Sequence, residues 1–360
     1  MTTFEPDYRY FADVMRNRRP RRLPIYEHKI DPAIMESVMN CEFADLIDGD
    51  QRDRQEYFNN FTRFFVEMTY DVVSFEVCLM DILPEGGALM GGKPGPIQSR
   101  SDFDDYPWDE VPEIFWNVAA PRFDALIEAL PNGMKAVGGI GNGVFEISED
   151  LVGLEYLLFM QIDDPELYAD LYTRIGDLMC RIWREFLQRY KGYFVAGRFG
   201  DDLGFKSSLL TNPSTIKKQI LPQYKRVIDL IHDAGLPFLW HSCGCIFEIM
   251  EDVIALGIDV KHSNEDAIAP FDRWIEDYGD RIGLLGGFDM DFLCEKSSDE
   301  VYEAVVEQGE RFRNNAQGYA LGSGNSIPDY VPGSNYLAMI RAARALRERG
   351  MTFNFKLVPG

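Results

Sequence analysis

Residues 236–243 read Leu-Pro-Phe-Leu-Trp-His-Ser-Cys, a short apolar run that ends in polar residues. This pattern is typical of a buried strand whose carboxyl end reaches a site. Similar runs occur throughout the chain, at 22–28, 72–80, 134–141, 193–201, 257–263, 281–288 and 318–323. Amphipathic helices are predicted between them, for example at 164–190 and at 213–234, which opens with Pro213-Ser214.

Eight strands separated by helices, without a hairpin signal between the later strands, predict parallel pairing through helical crossovers. A closed (β/α)8 TIM barrel, an α/β fold, satisfies this order without leaving a sheet edge. A doubly wound open sheet is the competing arrangement. We expect one domain over residues 1–360, with an N-terminal extension at about 1–20 and long loops around 84–133, which are rich in Gly, Pro and Asp.

Composition narrows the class of protein. The chain has 360 residues, 46% of them hydrophobic, and 59 acidic against 36 basic residues give a net charge of -23. This charge repels nucleic acid and anionic membrane surfaces. The sequence shows no long apolar run and no signal-peptide pattern at its start, so a cytoplasmic protein is expected. The six cysteines are too few for a disulfide framework and are expected to be thiols.

The predicted strand ends are unusually polar, and barrel enzymes build their active sites from these ends. A polar residue after a strand is also often a helix cap or a turn former, and this second interpretation stays open for Asn142, Asp201 and Asp289. Three of the four histidines lie at strand ends. The candidate substrate-binding residues are Tyr26, Glu27, His28, Asn142, Glu146, His262, Asn264, Ser323 and Asn325, and the candidate catalytic residues are Asp81, Asp202 and Glu265.

His241 and Cys243 are the candidate metal ligands. Residues two apart on an extended segment project to the same face, so an imidazole and a thiol can reach one ion. Zinc prefers such nitrogen and sulfur ligands. Cys245 is a further candidate ligand. The alternative is a hydrogen-bonded histidine beside a small buried cysteine, with Gly244 allowing tight passage of the chain.

At these residues the sequence resembles the uroporphyrinogen decarboxylase superfamily, which includes haem-pathway decarboxylases and corrinoid- or thiol-linked methyltransferases. The resemblance covers about residues 20–345. Its most specific stretches are Asp201-Asp202-Leu203-Gly204, Trp240-His241-Ser242-Cys243-Gly244, Arg281 to Asp289, and Leu321-Gly322-Ser323-Gly324 followed by Ile327-Pro328. It implies a (β/α)8 barrel with its site at the carboxyl ends of the strands.

Departures from each branch of the superfamily favour the methyltransferases. The decarboxylases carry an Arg-Gln-Ala-Gly-Arg segment after the first strand, where this chain reads Tyr26-Glu27-His28-Lys29-Ile30. They also have a histidine at the place of Ser323, although Asp81 matches an aspartate of theirs. The methyltransferases have a His-x-Cys zinc motif that corresponds to His241 and Cys243. Their third ligand, a cysteine, falls at about Ser323, so a substitute is needed from Cys245, Asp202, Glu265 or Glu27.

The resemblance therefore implies transfer of a methyl group between a small methylated substrate and a corrinoid protein or a thiol, with zinc as the implied metal. Asp202 and Glu265 would then supply protons or orient the substrate. The chain has no corrinoid-binding Asp-x-His-x-x-Gly segment, so a corrinoid would arrive on a separate partner. The protein is expected to be a monomer or a homodimer. Two alternatives stay open: cofactor-free decarboxylation of a porphyrinogen or related acid, and a non-catalytic barrel that binds a metal or ligand.

Overall fold

The computed structural model describes residues 4–91 and 93–352. The strands are β1 (Val72–Cys78), β2 (Lys135–Gly141), β3 (Phe194–Gly200), β4 (Phe238–His241), β5 (Val260–His262), β6 (Gly283–Phe288) and β7 (Tyr319–Ser323). The helices are α1 (Tyr8–Val14), α2 (Pro32–Met39), α3 (Gln51–Glu67), α4 (Ala88–Gly91), α5 (Arg100–Asp105), α6 (Val111–Ala129), α7 (Val144–Val152), α8 (Leu154–Asp163), α9 (Pro165–Tyr190), α10 (Pro213–Thr215), α11 (Leu221–Asp233), α12 (Met250–Leu256), α13 (Phe271–Tyr278), α14 (Met290–Glu295), α15 (Ser298–Asn315) and α16 (Gly333–Thr352). Short 3-10 turns occupy Ala44–Asp48, Met80–Ile82, Lys191–Tyr193 and Phe247–Ile249, and a π-helical turn at Ile216–Ile220 joins α10 to α11.

The strands follow one another in sequence order in a seven-stranded sheet. The pairs β3–β4, β5–β6 and β6–β7 are parallel, as the helical crossovers require. A doubly wound sheet would show a point where the strand order reverses, and this sheet shows none over the described residues. The predicted α/β class, with alternating parallel strands and helices, is therefore confirmed.

The first predicted strand, at 22–28, is reduced to an isolated parallel bridge between Ile25 and Leu321. Tyr26 N–H donates to the Leu321 carbonyl at 2.9 Å, and Leu321 N–H donates to the Pro24 carbonyl at 3.0 Å. Pro24 itself has no N–H to extend the ladder. The segment therefore pairs beside β7 as predicted, but over a shorter length than a regular strand.

The chain divides into two compact units, one formed by Met1–Ser74, Asp124–Val137 and Asp259–Gly360 and the other by Phe75–Phe123 and Gly138–Ile258. We call them the first and the second unit. The single-domain interpretation of residues 1–360 stays a prediction.

In the second unit, β3 and β4 lie side by side, and α9 packs with α11. Helix α9 begins where predicted, because the Asp164 side chain accepts the Leu167 N–H and Pro165 occupies the first turn. Its apolar residues Leu171, Ile175 and Ile182 are fully buried, as their helical spacing requires. Burial of such side chains stabilises the fold by about 1.5–3 kcal/mol each.

In the first unit, β5, β6 and β7 form a parallel ladder, and α15 packs against α16. The predicted N-terminal extension contributes α1. Phe11 and Val14 of this helix are completely buried, and the Phe11 ring stacks on Tyr26 with ring centroids 5.6 Å apart. The extension is therefore part of the core of this unit.

The stretch 84–133, which was predicted to form long loops, contains three helices, α4, α5 and α6, that were not predicted. Residues at intervals of four, namely Val111, Phe115, Ala119 and Phe123, are all completely buried on α6. This spacing places them on one helical face, which packs into a core. Five of the six glycines in this stretch lie before residue 98, ahead of α6, whereas Pro112 and Pro121 lie within the helix.

Over the described residues, none of the helices has both the length and the apolar character that crossing a membrane would require.

Candidate functional site

The predicted site residues belong to both units. The second unit holds Asp81, Asn142, Glu146, Asp202, His241, Cys243 and Cys245. The first unit holds Tyr26, Glu27, His28, His262, Asn264, Glu265, Ser323 and Asn325.

In the second unit, the register of β3 and β4 brings two strand ends together. Gly200 pairs with His241, so the Asp201-Asp202 segment that follows β3 lies beside the segment that follows β4. Asp201 N–H donates to the His241 carbonyl at 3.0 Å. Leu203 N–H donates to Ser242 Oγ at 3.4 Å. Backbone hydrogen bonds therefore fix the position of both polar segments.

Asp202, His241 and Cys243 form a compact group of three side chains that could hold a metal ion. One ligand atom from each lies within 4.8 Å of the others. His241 Nε2 and Cys243 Sγ are 3.5 Å apart, and Cys243 N–H donates to Asp202 Oδ1 at 2.8 Å. His241 is buried, whereas Asp202 and Cys243 are half-buried and leave the group accessible. Of the substitute ligands that the sequence offered, Asp202 lies in one group with His241 and Cys243.

The donor set fits zinc. Nitrogen, sulfur and carboxylate oxygen are its usual protein ligands at about 2.0–2.3 Å, and three protein ligands with an open fourth position are typical of catalytic sites. Ligand atoms that surround a tetrahedral ion at those distances lie roughly 3–4 Å apart. The 3.5 Å separation of His241 and Cys243 meets this requirement.

Two glycines allow the loops that carry this group to touch. Gly244 has a φ of +82°, and a Cβ atom there would lie 2.1 Å from the carbonyl carbon of Gly204. The next residue, Cys245, donates its N–H to the Phe205 carbonyl at 2.7 Å. Cys245 does not belong to the group formed by Asp202, His241 and Cys243.

Asp201 is a structural partner of the site. Its carboxylate accepts the N–H groups of Phe145 and Glu146 at 2.9 and 2.8 Å, which caps the first turn of α7 from a neighbouring strand. Tyr224 Oη–H donates to the same carboxylate at 2.5 Å. Burial raises the pKa of Asp201 to about 7, against the opposing effect of these hydrogen bonds. The capping interpretation that the sequence left open for this residue agrees with the structure.

Glu146 is hydrogen-bonded to the Asp202 backbone, and Asn142 is hydrogen-bonded to Glu146. Asn142 has a φ of +71° and donates from Nδ2 to Glu146 Oε2 at 2.9 Å. Asp202 N–H donates to Glu146 Oε1 at 3.3 Å. Burial, with the neighbouring charges of Asp201 and Asp202, raises the pKa of Glu146 well above its usual range. These two predicted substrate-binding residues therefore support the Asp202 backbone.

Glu149, one helical turn after Glu146, is a buried carboxyl that the sequence reasoning missed. Burial, reinforced by the charges of Asp201 and Asp202, raises its pKa to about 8. Its spacing of three from Glu146 on a helix was the available signal. Asp81, in contrast, is exposed to solvent in the turn Met80–Ile82.

A second missed feature is the buried ion pair of Glu76 on β1 and Arg198 on β3. Arg198 Nη2 and Nε donate to Glu76 Oε2 at 2.7 and 3.0 Å, and the Arg198 side chain is completely buried. The apolar run at 193–201 predicted a strand, but a sequence pattern does not identify the partner of an arginine within it. Only the folded chain brings Glu76 to it.

In the first unit, Glu27 and Ser323 form a buried hydrogen-bonded pair. Ser323 N–H donates to both Glu27 carboxyl oxygens at 3.1 and 3.2 Å, and the Ser323 hydroxyl also contacts Glu27 Oε2. The same hydroxyl lies 2.6 Å from the Asn325 carbonyl oxygen. Burial raises the pKa of Glu27 to about 8, with Ser323 acting in the opposite direction. Three predicted residues thus form one network.

Aromatic contacts connect the histidines of the first unit. The rings of His28 and His262 are stacked with centroids 5.7 Å apart, and Tyr26 meets His262 edge-on at 5.2 Å. His262 Nε2 lies 3.1 Å from the Ser323 carbonyl oxygen. His262 is completely buried.

Asn264 and Glu265 follow β5. Asn264 accepts the Gly287 N–H through Oδ1 at 3.0 Å, and its own N–H donates to the Gly324 carbonyl at 2.9 Å. Its buried Nδ2 has no hydrogen-bond partner among the described residues. The carbonyl of Glu265 accepts the N–H of Ile268 at 3.0 Å, which forms a turn, and its side chain is half-buried.

Comparison with known proteins supplies a family and a fold. The sequence matches the family model of uroporphyrinogen decarboxylase (URO-D) over residues 99–346, more than half of the chain. The solved structure of a methyltransferase from Methanosarcina mazei is similar at a TM-score of 0.71 and 15% identity, covering 95% of this chain and 99% of that one. The predicted (β/α)8 barrel of this family type is confirmed by this likeness.

A more distant likeness joins this chain to the intracellular xylanase TsXylA from Thermoanaerobacterium saccharolyticum. The TM-score is 0.46 and the identity 13%, over 93% of this chain and 98% of that one. No curated protein matches the sequence significantly.

Proposed function

This chain belongs to the uroporphyrinogen decarboxylase family, and from that premise we propose that it is a methyltransferase, which moves a methyl group between a small methylated substrate and a corrinoid protein or a thiol. The observation that carries the proposal is the group formed by Asp202, His241 and Cys243. The fold shared with the Methanosarcina mazei methyltransferase is compatible with it.

The ligand set supports zinc as the resident metal, held by His241, Cys243 and Asp202. When bound, zinc would supply Lewis acidity, which lowers the pKa of a thiol or stabilises the negative charge on an oxygen that loses its methyl group. The half-buried position of Cys243 and Asp202 leaves room for a substrate atom beside them.

The residues around the metal group hold it in place. Glu146 accepts the Asp202 N–H, and Asn142 steadies Glu146 from the other side. Partners of this kind around metal ligands typically contribute 10–100-fold to metal affinity or activity. Asn142 and Glu146 therefore act here as positioning residues for Asp202. We keep Tyr26, His28, His262, Asn264 and Asn325 as proposed substrate contacts, and Glu265 as a proposed proton donor.

The first strand segment argues against porphyrinogen decarboxylation. A substrate with several carboxylates needs several cationic partners, and the segment offers one lysine, Lys29, beside Glu27, whose buried carboxyl is hydrogen-bonded to Ser323. The arginines of the decarboxylase segment have no counterpart at Tyr26 to Ile30. This difference favours methyl transfer over the decarboxylase alternative.

Metal analysis of the purified full-length protein tests the metal. We expect close to one equivalent of zinc, loss of most of it in His241→Ala, Cys243→Ala and Asp202→Asn, and full retention in the control Cys245→Ala. All variants should keep the circular dichroism spectrum of the wild type. A wild-type protein purified without a transition metal would refute the metal centre.

Activity distinguishes the three functions. The protein is incubated with cob(I)alamin and a panel of methyl ethers, methylamines and methyl thioethers, and formation of methylcobalamin is followed by absorbance. A methyl donor from the panel should give turnover that His241→Ala abolishes. Release of CO2 from uroporphyrinogen would establish the decarboxylase instead, and bound zinc without turnover with any donor would support a non-catalytic barrel.

A further inference from the structure

Five arginines lie within residues 16–22 of this strongly acidic chain. The net charge is -23, yet residues 16–22 read Arg-Asn-Arg-Arg-Pro-Arg-Arg. This segment belongs to the first unit, between α1 and the bridge at Ile25. Such a local excess of positive charge against the sign of the whole molecule concentrates anions at one place.

Part of this segment lines a cavity of about 200 Å³ within the first unit. Four arginines face it, namely Arg19, Arg21, Arg313 and Arg347, together with Leu23 and Tyr319. No carboxylate occurs among the described residues that line it. The cavity is therefore cationic on several sides and partly apolar.

Backbone carbonyls hold three of these guanidinium groups in place. Arg19 Nη2 donates to the Asn314 carbonyl at 2.7 Å, and Arg313 Nη1 donates to the Leu346 carbonyl at 2.8 Å. Arg347 donates through Nε to Leu23 O at 2.6 Å and through Nη1 to Thr69 O at 2.7 Å. A guanidinium has five N–H donors, so each group keeps donors for a further acceptor. Groups already immobilised in this way lose little entropy when they bind a ligand.

Arg347 is the most deeply buried of the four arginines at this cavity. The residue is 9% exposed, and its Nη2 has no hydrogen-bond partner among the described residues. The same Nη2 forms an ion pair with Asp71 Oδ2 at 3.5 Å, and Asp71 also pairs with Arg22. Because four arginines and no carboxylate line the cavity among the described residues, positive charge exceeds negative charge at its wall, and an anion in the cavity would offset this excess.

We propose that this cavity binds a small, multiply charged phosphate compound, of the class of inorganic pyrophosphate and nucleoside diphosphates. A phosphate group presents up to two charges and three acceptor oxygens in a compact tetrahedron, so forks from several arginines can reach it at once. A single carboxylate offers half that charge. The site is independent of the metal group, which belongs to the second unit.

Isothermal titration calorimetry of the full-length protein with inorganic pyrophosphate tests the proposal, and ADP forms a second arm. We expect saturable binding of pyrophosphate that weakens with added salt and is at least tenfold weaker in Arg21→Gln and Arg313→Gln. Arg21 is exposed, so its replacement does not endanger folding. The matched controls are Arg16→Gln and Arg18→Gln, which change the same segment outside the cavity and should alter affinity less than twofold.

The two arms identify the source of the phosphate. Equal affinity for pyrophosphate and ADP supports recognition of the phosphate chain alone, and tighter binding of ADP supports a nucleotide whose nucleoside is also contacted. Absence of saturable binding to both compounds would overturn the proposal. An equal loss of affinity in Arg16→Gln, or binding of citrate in preference to pyrophosphate, would overturn it as well.

Discussion

Ser323 has one hydroxyl proton and two oxygen neighbours, Glu27 Oε2 and the Asn325 carbonyl oxygen. The carbonyl oxygen can only accept, so the hydroxyl donates to it and the second hydrogen bond needs a proton from Glu27. This count agrees with the pKa of Glu27, which burial raises to about 8. At neutral pH Glu27 is therefore an uncharged carboxylic acid that donates to Ser323.

Glu27→Gln should preserve this network, because the amide N–H replaces the carboxyl proton as donor. We expect its free energy of unfolding at pH 6 to lie within about 1 kcal/mol of the wild type, as for other exchanges that keep hydrogen bonds. Infrared spectroscopy of the wild type should show the C=O stretch of a protonated carboxyl that is absent from the variant. A spectrum without this band at pH 6 would contradict the neutral state.

Ser323→Ala provides the contrast. It removes the hydroxyl that accepts from Glu27 and leaves a buried carboxyl partly unsatisfied, at a cost of about 1–3 kcal/mol. Urea unfolding at pH 6 measures the difference between the two variants. Equal stability of Ser323→Ala and the wild type would show that the hydroxyl has little part in the network.

At the residue scale, the sequence predicted which residue types could bind a metal better than it predicted which distant residues contact them. The spacing of His241 and Cys243 predicted that an imidazole and a thiol would lie together, and they do. The sequence offered no reason to prefer Asp202 over Cys245, Glu265 or Glu27 as the proposed third metal ligand. Asp202 lies beside the His-Cys pair because the Cys243 N–H donates to its carboxylate, and this contact depends on the register of β3 and β4.

At the scale of elements, the segments that follow β3 and β4 approach so closely that their glycines are in contact. Gly244 meets the Gly204 backbone, and both its φ of +82° and this contact exclude a side chain. Strands and long helices were predictable because apolar periodicity is local. The helices within 84–133 were not predicted, since the glycines at the start of that stretch and the prolines within α6 obscured the regular spacing of its apolar residues.

Gly244→Ala should destabilise the protein by about 2–4 kcal/mol, the sum of a left-handed conformation and a backbone overlap. Gly235→Ala is a matched control, because Gly235 has the same φ of +82° but no heavy atom within 4 Å of an added Cβ. This control should cost roughly 1 kcal/mol. Thermal unfolding compares them, and zinc content should fall in Gly244→Ala alone. Similar losses in both variants would refute the role of the Gly204 contact.

At the scale of the whole molecule, buried carboxyls couple stability to pH. Burial raises the pKa of Glu27 and Glu149 to about 8 and that of Asp201 to about 7. In the unfolded chain these groups titrate near their ordinary values, about 4. Between about pH 4 and pH 8 the folded state therefore binds more protons than the unfolded state. The stabilisation that these three carboxyls contribute is complete below about pH 4, and it is lost as pH rises through the folded-state pKa values of about 7 to 8.

Urea unfolding at constant ionic strength should accordingly show a lower midpoint at pH 8.5 than at pH 5.5, with a decrease in unfolding free energy of at least about 2 kcal/mol. Repulsion within a chain of net charge -23 acts in the same direction. Glu149→Gln should reduce the decrease, since the amide does not titrate. A midpoint that is constant or rises with pH would contradict the raised pKa values.

The sequence by itself determined the class of fold, the order of parallel strands, the strongly acidic surface and the candidate pair His241 and Cys243, because these depend on local periodicity, composition and short spacing. The tertiary structure decided which distant residues meet: Asp202 with the His-Cys pair, Glu76 with Arg198, Glu27 with Ser323, and the arginines around the cavity of the first unit. Such meetings depend on strand register and helix packing, which involve residues far apart in the chain. The same packing removes carboxyls from water, and so it also sets their protonation.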